Sequence, residues 1–206
     1  MQMLNEKQEN DIKKLYNEYQ TEIKPLTFYV ERKYHKFPKS LLKEFRDVFD
    51  HISRCYEKNV SEEYINENIN KAKNHFDRIK LDTYKYVSDY KKRNFSIWKR
   101  KYSKYDLQNI NDGNFWTTIL EKEEEGEKVF AQARDMESKD IAKACELIQK
   151  STIIYDEIED LIDEKRTYIV KAKFKYIRVS FANKGEGFIV GVIASIIGAI
   201  IFECFK

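Results

Sequence analysis

The sequence predicts an all-α chain, an elongated helical hairpin or coiled-coil-like cytosolic bundle that ends in one C-terminal transmembrane helix. Three observations predict it. Proline is confined to Pro25 and Pro38, so everything beyond residue 38 runs on without a helix-breaking ring. Gly185, Gly187, Gly191 and Gly198 crowd one end, which leaves Gly113 and Gly126 as the only glycines before them, too few turn residues for a β or α/β domain of this size. Apolar residues recur at alternating steps of three and four over most of the chain, the spacing of a helix with one buried stripe.

Residues 3–24 form the first element and place Leu4, Ile12, Leu15, Tyr19 and Ile23 near one face; Pro25 is expected to break or kink the helix at its end. Ser40 is a candidate N-cap for a helix whose apolar row is Leu41, Phe45, Val48, Ile52 and Cys55. Ser61, Glu62 and Glu63 open a long helix over about 61–105, with acids in its first turn where the helix dipole favours them. Its row runs Ile65, Ile69, Ala72, Phe76, Ile79, Thr83, Tyr86 and Tyr90 and is expected to resume at Ile97. Residues 106–114 form the clearest turn, and 114–184 reads as a second long helix with one break near Ser138. Within it, 172–181 alternates partly like a strand, but the helical rhythm through Ile169, Ala172 and Tyr176 favours helix. The expected division is therefore a cytosolic helical domain over 1–184 and a membrane segment over 185–206.

Residues 187–202 carry no charge and are bounded by Glu186 and Glu203. At about 1.5 Å per residue they reach roughly 24 Å, short of a hydrocarbon core of about 30 Å, a mismatch that bilayer thinning or oligomerisation absorbs. Residues 165–184 hold seven Lys or Arg and no acid, which keeps the N-terminal side cytoplasmic. The first residues show no apolar core of a signal peptide, so the expectation is a single-pass protein of the bacterial cell membrane, anchored by its tail. Gly187, Gly191, Ser195 and Ala199 recur every four residues and the row ends on Glu203. Small residues in such a row let helices approach closely in lipid, so these five positions are candidates for homo-oligomer assembly, with Glu203 facing a pore or else sitting among headgroups.

Charge is segregated along the chain. Residues 71–104 are strongly basic and 121–164 strongly acidic. Two readings stand side by side: the segments neutralise each other as arms of one hairpin, or the basic arm is a binding surface. In favour of a surface, Lys85, Lys91, Lys92, Arg93, Lys99, Arg100 and Lys101 are interleaved with Tyr84, Tyr86, Tyr90, Phe95, Trp98, Tyr102 and Tyr105. Cations track phosphates and flat rings stack on bases, which makes Lys85, Lys91, Lys92, Arg93, Trp98, Lys99, Arg100 and Lys101 the candidate ligand-binding residues for a nucleotide or single-stranded oligonucleotide. Anionic lipid headgroups are a third use of the same charges.

Other chemistry is thinly represented. No glycine-rich loop suits a phosphate, and three histidines on a helical background assemble no nucleophilic constellation, which argues against an enzyme and against a cofactor. Cys55, Cys145 and Cys204 are isolated, and His51 with Cys55 supplies too few ligands for a metal.

A helical cytosolic body over 1–184, a basic–aromatic surface and a glycine-striped segment over 187–205 together resemble the membrane effectors of bacterial anti-phage defence, the HalA effectors of Hailong among them. The resemblance implies a tetrameric channel held shut by a DNA oligomer, with residues 85–104 holding the oligonucleotide and the 187–203 stripe lining the pore. The other reading of the same features is a tail-anchored scaffold that recruits a protein partner to the membrane.

Overall fold

A computed structural model describes residues 3–180, and these are all-α: α1 (Glu6–Glu18), a π-helical turn (Tyr19–Ile23), α2 (Lys24–Tyr34), α3 (Lys39–Arg54), α4 (Glu62–Tyr102), a 3-10 turn (Ile110–Gly113), α5 (Asn114–Met136), α6 (Ile141–Glu164) and α7 (166–180). Residues 172–180, where the pattern alternated, are helix. Over 114–180 the expected break near Ser138 falls at 137–140, and a second, unexpected interruption at Lys165 divides the rest into two helices. Among the described residues no helix is long and apolar enough to cross a membrane. The expected transmembrane segment, with Gly187, Gly191, Ser195, Ala199 and Glu203, lies outside the described residues. The chain forms two compact units, one built from 3–94 and 122–157 and the other from 95–121 and 158–180.

In the first unit, Asn5 and Gln8 exchange side-chain and backbone hydrogen bonds in a capping box that starts α1. Pro25 does not end the helix. Its ring excludes the usual bond to the carbonyl four residues back, and the turn before it widens so that the Lys24 N–H reaches the Tyr19 carbonyl. The chain stays helical to Tyr34 and stops on His35, whose left-handed φ of 51° turns it away. Pro38, not Ser40, is the N-cap of α3; its fixed extended backbone starts the helix without a side-chain hydrogen bond, and Ser40 lies inside the first turn. Ser61 caps α4 by accepting the Tyr64 N–H at 3.2 Å.

The rows read from the sequence meet in one core, where Ile12, Leu15 and Ile23 pack with Leu41, Val48 and Ile52 of α3 and with Ile65, Ile69, Phe76 and Ile79 of α4. Further along α4 the buried face rotates. Leu81 joins Ala133 of α5 and Ala144 and Ile148 of α6, while Val87 joins Val30 and Tyr34 of α2. The expected return of the row at Ile97 does not occur; that side chain is 50% exposed, and Phe95 is buried instead. A straight helix turns by 3.6 residues, so a 3.5-residue row drifts off its partner unless the helices supercoil.

The α5 and α6 backbones come together at Gly126, whose carbonyl accepts the Ser151 hydroxyl at 2.9 Å. A methyl group at Gly126 would stand 3.1 Å from the Tyr155 ring. Asp140, just before α6, caps it by accepting the Lys143 N–H at 2.9 Å. Around the π turn, the Glu18 carboxylate accepts hydrogen bonds from Lys80 at 2.7 Å and Lys73 at 3.1 Å. Burial acts to raise its pKa, but the two ammonium groups outweigh burial and hold it below the ordinary value.

In the second unit, the last turns of α4 (95–102), the loop and start of α5 (103–121) and residues 158–180 bury Phe95, Leu107, Ile110, Phe115, Ile119, Ile158 and Ile169. Asn111 and Gly113, with φ of 55° and 90°, turn the loop into α5.

Two measurements check this packing. Gly126→Val should lower the unfolding free energy by about 2 kcal/mol in urea titrations, because its branched side chain overfills the α5–α6 contact; unchanged stability would mean that the helices separate there freely. Glu18 has a lowered folded pKa, so its contribution is full above the ordinary carboxylate value of 4.5 and is lost as pH falls below it. The stability difference between wild type and Glu18→Gln should therefore be constant from neutral pH to about 5 and shrink steadily in more acidic buffer.

Candidate ligand-binding site

The candidate basic–aromatic residues separate into two groups. In the first unit, α4 presents its lysines to the acidic helices. Lys85 lies 3.2 Å from Glu137 and 3.4 Å from Asp82. Lys91 is buried and ion-paired with Asp156, and Lys92 lies 3.0 Å from Glu127. These contacts join the basic arm to the acidic arm. They are what makes burial of a lysine tolerable, since an ammonium taken out of water needs a counter-charge at contact distance. Arg93 is exposed.

The rest of the group belongs to the second unit. Lys99 is half-buried, and Arg100 and Lys101 are exposed, with the Lys101 ammonium 5.4 Å from the Tyr102 ring centre. Trp98 is half-buried in a stack of rings. Its centroid stands 5.9 Å from Phe95, 5.3 Å from Tyr102 and 6.2 Å from Trp116 at the start of α5. Phe95, Trp98 and Tyr102 fall at steps of three and four, so they share one side of α4, and the stack arises from that spacing.

Next to this stack the second unit has a cleft of about 390 Å³ lined by Lys104, Tyr105, Asp106, Trp116, Lys175 and Tyr176, with Val179 and Ala172 along one side. Its size falls in the range of small-molecule sites. Tyr105 and Tyr176 meet edge to face at 5.4 Å. The Lys104 ammonium lies 5.4 Å from the Tyr105 ring, and Lys175 lies 3.8 Å from the Asp106 carboxylate, which also accepts the Asn109 amide at 2.6 Å. Three rings, two ammonium groups and one carboxylate suit a planar ligand with a negative charge: rings stack on its faces, lysines meet the anion, and Asp106 can accept an exocyclic amine. Tyr105 belongs to the basic–aromatic run and Lys104 closes the basic segment 71–104, but Trp116, Lys175 and Tyr176 lie outside both. The signal was divided among the end of α4, the start of α5 and α7, segments whose meeting no local pattern announces.

Elsewhere, His51 lies 2.8 Å from Asn68 and stacks on His75 at 5.3 Å, while His75 lies 2.6 Å from Glu44. Burial raises the Cys55 thiol and pushes the Cys145 thiol up to about 11, which makes both poor nucleophiles at neutral pH. Among the described residues no group of three or more His, Cys, Asp or Glu is arranged around a common point for a metal.

Comparison with protein families, with curated proteins and with solved structures finds no match to this chain.

The pairing of the two charged arms is open to a double-mutant cycle. Lys85→Ala and Glu137→Ala should couple by about 1 kcal/mol in urea unfolding, decreasing in high salt. A coupling near zero would return Lys85 to the pool of ligand contacts.

Proposed function

We propose that this chain is an oligomeric, membrane-anchored helical effector of bacterial anti-phage defence. In this reading a nucleotide or single-stranded oligonucleotide binds the helical body and controls ion flow through a pore formed by 187–203. The observation that carries the reading is the cleft, because one of its walls is α7, the helix that leads in sequence to the charge-free segment 187–202. A base stacked against Tyr105, Tyr176 and Trp116, with phosphate on Lys104 and Lys175, would bear directly on that helix. The row Gly187, Gly191, Ser195, Ala199 and Glu203 supplies the assembly face, and nothing in the reading calls for catalysis.

A second reading, a tail-anchored scaffold, draws on a different observation. The outer side of α3 exposes Leu42 and Phe49, 59% and 61% accessible and seven residues apart, an apolar pair suited to a protein partner.

Reconstitution separates the two. Full-length protein in liposomes should conduct ions, and short single-stranded DNA or a mononucleotide should change the flux at least several-fold. Tyr105→Ala with Lys175→Glu should remove the ligand response while leaving basal flux, and deletion of 187–206 should abolish flux altogether. Liposomes that stay sealed under every ligand condition refute the pore. Cellular function that survives replacement of 187–205 by an unrelated leucine-rich span selects the scaffold.

A further inference from the structure

The side of α7 facing away from the cleft is built differently from its inner side. Ile169 is buried, and Ala172, Lys175, Tyr176 and Val179 line the cleft. Val170, Phe174 and Arg178 recur at four-residue steps along another side, with Lys171 beside them; Phe174 is 65% exposed, Val170 41%, and both cations are exposed. At about 100° per residue these four fall within one sector of roughly a third of the helix circumference. Phe174 is the most exposed of the large apolar side chains of α7.

We infer that the Val170–Lys171–Phe174–Arg178 stripe is a docking surface for an anionic lipid bilayer, with Phe174 entering the headgroup region and Lys171 and Arg178 on lipid phosphates. Charge complementarity supports this occupant: no acid occurs in 165–184, so two copies of this stripe facing each other would set cation against cation. Position supports it too. The stripe precedes the charge-free run 187–202 by 9 to 17 residues, close enough in sequence for α7 of an anchored chain to lie along the bilayer surface. Basic residues beside an anionic leaflet gain from its surface potential, and an aromatic ring contributes by leaving water. The inference rests on the membrane-anchored reading above and adds a lipid requirement to it.

A photo-crosslinker at the centre of the stripe tests it on the full-length chain. p-Benzoylphenylalanine is placed at position 174, the protein is reconstituted in vesicles of phosphatidylcholine alone or with three-tenths phosphatidylglycerol, and adducts are identified by mass spectrometry. The expected result is adducts to phospholipid at least five-fold more abundant in the anionic vesicles. They should fall to the neutral level in 0.5 M salt or in a Lys171→Glu, Arg178→Glu chain, whose helical circular dichroism verifies folding. Adducts to a second copy, to the chain's own residues, or to lipid in equal amount at both compositions overturn the stripe while leaving the anchor intact. A chain that fails to float with vesicles after an alkaline wash overturns the anchor and the stripe together.

Discussion

A helix as long as α4 cannot keep one face against one partner unless the two supercoil, and most of the described structure answers to that constraint. Over its first half the row Ile65, Ile69, Ala72, Phe76 and Ile79 stays on α1 and α3. The geometric drift of a 3.6-residue turn then carries the buried face toward α5 and α6 at Leu81 and toward α2 at Val87. Each partner meets a different sector of the same helix, so fewer sides remain for water. Lysines caught on the newly covered sectors must then be matched. Lys85, Lys91 and Lys92 have their acids on α5 and α6 or in the turn between them. Part of the charge segregated along the sequence is thus matched within the fold, three lysines of α4 against acids of α5, α6 and the turn between them.

The same constraint explains how much was legible in the sequence. Where a helix buries one stripe in one core, periodicity reads it correctly, as in α1, α3 and the first half of α4. Where partners change, the row misleads: Tyr90 and Ile97 keep the heptad and are exposed, while Val87 and Phe95 break it and are buried. The terminators divided in the same way. The turn at 106–114 and the break near Ser138 are local chemistry and could be read. The π turn that accommodates Pro25 is a response of the whole preceding turn, and a rule that proline breaks helices does not contain it.

The site was legible only in its composition. Rings interleaved with cations pointed to the end of α4; Tyr105 lines the cleft, and Trp98 lies against Trp116, which lines it too. The interleaving could not say which cations face acids. It also could not say that Trp116 and Tyr176, on segments far away in sequence, complete the walls. Both are tertiary facts, set by which helices pack together.

α7 is asked to serve two neighbours of opposite character. One side is a wall of the cleft through Ala172, Lys175 and Tyr176; another carries Phe174 and the cations assigned to lipid. A ligand shifts a conformational equilibrium only by its differential affinity for the two states. For a ligand in this cleft, that difference must arise from how closely Tyr176 approaches Tyr105 and Trp116, since the rings supply most of the stacking contact. If α7 tilted so as to change this approach, the proposed lipid-facing stripe would move with it, and the two surfaces would be coupled. In that case linkage requires lipid composition to alter ligand binding as much as ligand alters lipid contact.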